Sequence, residues 1–242
     1  MYGKEGRVGV LVPSTNFVAE IEIQRLMPDG VSTHTARCML EDTSQESNKI
    51  ERLLDMSQNV IRAAREVACV KPKVIVWACT SGSFLQGTGG EGELERKIYS
   101  TTGIPAVTTS TAMIEAIRQL GVHRLALVTP YINAINVSQV RFLEESIKDL
   151  KVVNLYALEL LSSYVKNELE PESAFEAALK GDRDEAQAVF ISCTAWRTIE
   201  ILQLLEKKLK KPVISSNQST AWAALRRMNL KGDPKWGSLF DM

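Results

Sequence analysis

The sequence predicts an α/β protein made of two similar Rossmann-like lobes. Each lobe carries a parallel sheet, and a pseudo-twofold axis relates the two across a cleft that holds the site. Three observations predict this. Short apolar runs rich in Val, Ile and Leu alternate with longer amphipathic stretches, the rhythm of strand and crossover helix. Three sequence blocks recur in the same order in the two halves. The composition is globular: 242 residues, 45% apolar and 24% charged, enough for one large domain or two compact lobes.

Taken along the chain, Arg7 to Val12, Lys73 to Trp77, Arg124 to Val128 and Ala188 to Ile191 read as buried strands. A helical pattern begins near Asn48, with Ile50, Leu53, Leu54, Val60, Ile61, Ala64, Val67 and Ala68 mostly on one face. A second runs from Ala112 to Leu120 and stops at Gly121, a good C-cap position; a third covers Ile199 to Leu209 and ends in lysines before Pro212. The stretch Gln86 to Gly92 is glycine-rich, follows no strand directly and lacks a Walker lysine, so it reads as a mobile loop and not a nucleotide site. In the tail, Trp236, Leu239 and Phe240 are placed to pack on the body or on a neighbouring subunit.

The repeat is the most informative feature. The run Val8 to Pro13 resembles Leu125 to Pro130, Val74 to Thr80 resembles Ala188 to Thr194, and Gly103 to Ala112 resembles Lys211 to Ala221. The offsets are 117 residues (Pro13 to Pro130), 114 (Cys79 to Cys193) and 107 (Pro105 to Pro212). Such a period is too long for a solenoid, whose repeats run about 20–50 residues. It fits a duplicated α/β lobe, with residues 1–110 plus 215–242 in the first and 111–214 in the second. Open parallel sheets bind ligands beyond the carboxyl ends of their strands, so both lobes should present loops to one cleft.

Charge and cysteine usage narrow the class. The 29 basic residues balance 29 acidic ones, which gives no electrostatic reason to expect nucleic acid or an anionic membrane. No apolar run approaches the roughly 20 residues of a membrane span. The expectation is a cytoplasmic protein. Cys38, Cys69, Cys79 and Cys193 do not form a disulfide framework. With no CxxC pair and only His34 and His123, a zinc site of common type is not expected. No GxGxxG opens a helix after a strand, so nothing points to NAD, ATP or a flavin; no cofactor is expected.

The chemistry sits at the strand ends. Both repeats place a cysteine there, followed by Thr and then an expected helix. A helix N-terminus would lower the thiol pKa, and a pseudo-twofold would set Cys79 and Cys193 on opposite sides of one ligand. Two opposed thiols suit proton transfer on both faces of a carbon, or covalent addition by one with proton handling by the other. The paired position favours catalysis over inert packing; Cys38 and Cys69 have no such pairing. The loops Pro13 to Asn16, Cys79 to Ser83, Thr108 to Thr111, Thr129 to Tyr131, Cys193 to Thr194 and Ser215 to Thr220 are rich in hydroxyls and amides. They suit binding of a carboxylate by neutral donors. Asn16, Thr80, Ser81 and Tyr131 are read as ligand contacts, Thr111 and Ser219 as helix caps.

On these residues the sequence resembles the aspartate/glutamate racemase superfamily, most closely its maleate cis–trans isomerase and arylmalonate decarboxylase branch. The resemblance rests on Val12-Pro13-Ser14-Thr15-Asn16, Ala78-Cys79-Thr80-Ser81-Gly82, Val128-Thr129-Pro130-Tyr131, Ile191-Ser192-Cys193-Thr194 and Ser215-Ser216-Asn217-Gln218. It implies a homodimer working without cofactor or metal. Cys79 would be the nucleophile or first acid/base and Cys193 the second. Asn16, Thr80 and Ser81 would hold a carboxylate, while Tyr131 and the backbone at Thr194 would hold carboxylate or enolate oxygen. The decarboxylase subgroup lacks the first cysteine, which this chain has. Where the family carries a site Asn before a proline, counting back from Pro171 reaches Ser163, with Asn167 nearby but out of register.

The leading expectation is therefore a cofactor-independent isomerase of a small mono- or dicarboxylate, with maleate to fumarate as first guess. The alternatives are a two-cysteine racemase, an arylmalonate-type decarboxylase, and a non-catalytic two-lobed carboxylate-binding protein.

Overall fold

A computed structural model describes residues 2–43 and 45–242. The first half runs β1 (Gly6–Pro13), α1 (Val18–Leu26), β2 (Val31–Cys38), α2 (Lys49–Ser57), α3 (Val60–Ala68), β3 (Val74–Trp77), α4 (Thr80–Phe84), α5 (Gly90–Thr102), β4 (Ala106–Thr108) and α6 (Thr109–Gln119). The second runs β5 (Arg124–Thr129), α7 (Asn133–Ser146), β6 (Lys151–Ala157), α8 (Ser163–Asn167), α9 (Pro171–Gly181), β7 (Ala188–Ile191), α10 (Leu202–Leu209), β8 (Val213–Ser215) and α11 (Ser216–Arg227). The strands form two four-stranded parallel sheets, ordered β2-β1-β3-β4 and β6-β5-β7-β8. The same topology is thus built twice, as the repeat predicts.

The four predicted strands are β1, β3, β5 and β7, the two inner strands of each sheet. Covered on both faces, they are apolar at almost every position. The outer strands β2 (VSTHTARC) and β6 (KVVNLYA) are only partly buried and carry polar residues, so no apolar run marks them.

Helix boundaries depart from expectation in four places, the first being α6, which starts at Thr109 and not at Ala112. The pattern from Asn48 to Ala68 is two helices, α2 and α3, broken at Gln58 and Asn59, whose N–H groups turn back to Asp55 and Met56 carbonyls. The third predicted helix begins only at Leu202. The glycine-rich loop is shorter than expected, because α5 starts at Gly90; Gly87 and Gly89 adopt the left-handed conformation just before it. Thr111 and Ser219 are not the caps. Thr108 caps α6 by accepting from Thr111 N–H, and Ser215 caps α11 in a capping box with Gln218.

A buried network of hydroxyls ties α4, α6 and α11 together. Ser83 bonds Ser110 at 2.6 Å, Thr80 donates to Ser216 at 2.9 Å, and Thr109 bonds Thr220 at 3.0 Å. The equivalent helices α6 and α11 pack on each other, and α11 also packs on α1, β3 and β4. In the tail, Leu239 and Phe240 are buried against the chain's own body. Gly232 makes room for Phe240: a Cβ there would lie 1.8 Å from the ring.

Candidate active site

The carboxyl ends of the inner strands converge on one small cavity of ≈ 40 Å³. Every residue singled out for the site from sequence lines it: Cys79, Cys193, Asn16, Thr80, Ser81, Tyr131, Ser163 and Thr194. Pro13, Leu40, Leu53 and Ile135 add an apolar stretch of wall. Asn167 does not line it. Its carboxamide instead bonds the Phe17 N–H and the Thr15, Ser163 and Tyr164 carbonyls, tying α8 to the loop after β1. Of the remaining cysteines, Cys38 is buried and Cys69 exposed.

The two thiols come one from each lobe and are held differently. Cys79 heads the short helix α4, and its sulfur accepts from Gly82 N–H at 3.3 Å. Gly82 is required here, because a Cβ would lie 2.9 Å from that sulfur. Cys193 heads no helix, contrary to expectation. An irregular loop follows it, its sulfur accepts from Ala195 N–H at 3.4 Å, and the Tyr131 hydroxyl lies beside it. Its backbone N–H donates to Ser216.

The expected low thiol pKa is also overturned. Burial pushes Cys79 up to about 12, the neighbouring Cys193 adds to the rise, and Gly82 N–H, Ser81 and Lys166 only partly offset it. Burial likewise raises Cys193, against Lys166, Ala195 N–H and Tyr131. Desolvation of residues no more than 5% exposed outweighs one N–H at each sulfur and, at Cys79, a single helical turn. At rest both are thiols.

Asn16 does two jobs. Its Oδ1 accepts from Val18 and Ala19 N–H, capping α1, and its Nδ2 donates to Thr194 at 3.1 Å. Thr194 in turn donates to the Ala78 carbonyl, and Asn217 donates to the Thr194 carbonyl.

A model of the family described as arylmalonate decarboxylase matches residues 8–240. The chain belongs to the arylmalonate decarboxylase family. It is 31% identical to the arylmalonate decarboxylase of Bordetella bronchiseptica, covering 97% of this chain and 96% of that one. It is 27% identical to the maleate isomerase of Geobacillus stearothermophilus over 98% and 97% of the two chains. Among solved structures, the maleate isomerase of Pseudomonas putida S16 with maleate superposes at a TM-score of 0.89, with 25% identity over 97% of this chain and 96% of that one. A maleate cis–trans isomerase variant from Nocardia farcinica, holding a covalently bound succinylcysteine intermediate, superposes at 0.88, with 26% identity over 97% of each chain.

This member of the arylmalonate decarboxylase family carries two site residues that the sequence reading missed. The loops were expected to bind a carboxylate by neutral donors alone; instead two lysines line the cavity, Lys49 at 1% exposure and Lys166 at 4%. Lys49 donates to Asp42 and to Ser163, both at 2.7 Å. Asp42 also accepts from Ser162 Oγ and from the Ser163 and Tyr164 N–H groups, so it clasps α8. Burial alone would raise Asp42, but the Lys49 ammonium and these donors hold it far below the usual carboxylate range. A signal for Lys49 existed: it shares the buried face of α2 with Leu53 and Met56, so a lysine sits in phase with the core. Lys166 lies in a five-residue helix, too short to show a period. Among the described residues, no group of three His, Cys, Asp or Glu is placed to hold a metal, and no helix is long and apolar enough to cross a membrane.

Proposed function

We propose that this protein interconverts maleate and fumarate without a cofactor, using Cys79 as nucleophile and Cys193 as acid/base. The observation that carries the proposal is the arrangement of the two thiols. One from each lobe, at equivalent strand ends, lines a single cavity rich in carboxylate donors. The relatives support it: full-length likeness extends to several maleate isomerases, and one such structure holds a succinylcysteine.

In the working form one thiol has lost its proton. The Cys79 thiolate adds to C2 of maleate, and the Cys193 thiol protonates C3, leaving a succinyl thioether and a Cys193 thiolate. The C2–C3 bond, now single, rotates. Cys193 takes the proton back from C3, the C–S bond breaks, and fumarate leaves with both sulfurs in their starting states. Gly82 N–H favours the Cys79 thiolate; the Lys166 charge favours both thiolates, Cys193 the more, and Ala195 N–H and Tyr131 also serve Cys193. Asn16, Thr80, Ser81, Ser163 and Thr194 line the same wall and orient the carboxylates. Residues 215–242 are assigned to the first lobe, supported by α11 packing on α1, β3 and β4. The homodimer that the resemblance implies is part of this proposal and is checked by size-exclusion chromatography; the cytoplasmic location is checked by cell fractionation.

Loss of maleate followed by ultraviolet absorbance or proton NMR tests the reaction. Cys79→Ala should abolish it, and Cys193→Ser should accumulate an adduct with the mass of one maleic acid. Full activity in Cys79→Ala would overturn the mechanism.

A second reading, decarboxylation of an arylmalonate, is favoured by the 31% identity to such an enzyme and by the apolar wall of Leu40, Leu53 and Ile135, which suits a hydrocarbon substituent. Carbon dioxide release from phenylmalonate tests it.

A further inference from the structure

Three charged side chains are buried among the described residues: Glu22, Lys49 and Lys166. Glu22 accepts from the Thr198 and Ile199 N–H groups, the Thr198 hydroxyl and Asn217. Lys49 is paired with Asp42. Lys166 is different. Among the described residues it pairs with no carboxylate and makes no hydrogen bond through its ammonium; its Nζ stands 5.4 Å from the centre of the Tyr131 ring. An aromatic face attracts a cation but carries no net charge. Lys166 nevertheless lines the cavity, beside two thiols that are neutral at rest. Burial lowers its pKa to about 8, which leaves it mostly charged at neutral pH.

An uncompensated buried ammonium is costly in the free protein, and the cost is relieved when a guest supplies the counter-charge. The wall offers two unlike sets of donors. One is neutral, from Ser81 and the backbone at Thr80 and Thr194, whose hydroxyls already donate to Ser216 and Ala78; the other is cationic, from Lys166, with the Lys49-bound Ser163 on the same short helix. We propose that Lys166 anchors the second carboxylate of the substrate, so that this site selects dianionic acids over monoanionic analogues of the same shape. The inference rests on the carboxylate reading of the site. It adds a specificity residue that neither motif nor repeat identified.

The test uses the full chain and two ligands that cannot add a thiol: succinate, a dianion, and succinamate, its monoamide. Dissociation constants come from calorimetry at pH 7 and fixed ionic strength. The wild-type protein should prefer succinate by about tenfold or more, the usual scale for one charge-assisted pair. Lys166→Met and Lys166→Gln should bring that preference close to one, mainly by weakening succinate. Two replacements of different polarity guard against one that misfolds. A preference that survives in either folded variant, or a wild-type protein that binds both ligands equally, would overturn the assignment. Because neither ligand reacts, a failure of maleate turnover would count against the isomerase reading alone and leave this result to stand separately.

Discussion

The Asn16 carboxamide donates to the Thr194 hydroxyl at 3.1 Å, and that hydroxyl donates onward to the Ala78 carbonyl at 3.1 Å. Ala78 precedes Cys79 and Thr194 follows Cys193. The Thr194 side chain therefore ties the chain beside one thiol to the backbone beside the other, and Asn16 holds that hydroxyl in place.

Thr194→Val keeps the shape and removes the bridge. It should cost about 1–3 kcal/mol, because a buried carbonyl and a buried amide lose their partner. Turnover of maleate should fall by about 100-fold from misplaced sulfurs. Urea unfolding and steady-state kinetics measure the two separately; a stability loss with unchanged kcat would show that the bridge does not position the thiols.

Gly82→Ala places a methyl group 2.9 Å from the Cys79 sulfur and 3.1 Å from Met56 Cε. The methionine can move; the sulfur, held by the Gly82 N–H, moves only out of place. Activity should drop by roughly 100-fold while the melting temperature changes little. Iodoacetamide labelling of Cys79, read by mass spectrometry, should change in parallel.

The pH profile follows from the two unlike groups. With Cys79 at about 12, the thiolate fraction grows tenfold per pH unit through the neutral range. Above about 8 Lys166 gives up its charge. The groups facing it are Cys79, Cys193, Tyr131, Lys49 and Asp42, and Asp42 is ionised throughout. The expected kcat/KM for maleate climbs with unit slope to about pH 8 and levels off above it. In Lys166→Met the bend should vanish, and its persistence there would assign it to another group.

Glu22 makes stability depend on pH. Burial holds its carboxyl at about 7, against the donors from Asn217, Thr198 and Ile199 and with the Glu200 charge adding to the rise. The folded state keeps this proton to higher pH than the unfolded chain. The associated stability is complete below about pH 4.5 and lost as pH rises through about 7, on the order of 3 kcal/mol across that window. Urea midpoints should fall between pH 5 and 8 in the wild type and stay nearly level in Glu22→Gln. Asp42, whose pKa is lowered, acts only at more acid pH.

Asp42→Ala should loosen α8 and strand the buried Lys49 ammonium. Removing one partner of a buried pair costs about 3–5 kcal/mol, and partial exposure of Asp42 places this case at the lower end. Hydrogen exchange at Ser163 and Tyr164 N–H should speed up, and KM should rise more than kcat falls.

The architecture was legible in the sequence because the inner strands are apolar throughout and the same three blocks occur twice. Strands β2 and β6 were not, since an outer strand half open to solvent has no reason to be apolar. The cavity residues were legible as types at strand ends, and the cavity gathers them. What escaped was electrostatic. Thiol pKa depends on how completely the sulfurs are desolvated, which spacing does not reveal. The lysines escaped because a lysine in sequence reads as surface; only its phase with Leu53 and Met56 betrayed Lys49, and α8 is too short to carry such a phase.

The repeat is broken at one telling place: Cys79 begins a helix and Cys193 begins a loop. Two identical halves would have offered interchangeable sulfurs, and a flat guest would have met the same chemistry above and below. One sulfur instead takes the amide of its own helical turn, whereas the other adds a neighbouring phenol to the amide of its loop. The duplication supplied a matched pair; its imperfection is what the proposed unequal roles of Cys79 and Cys193 would draw on.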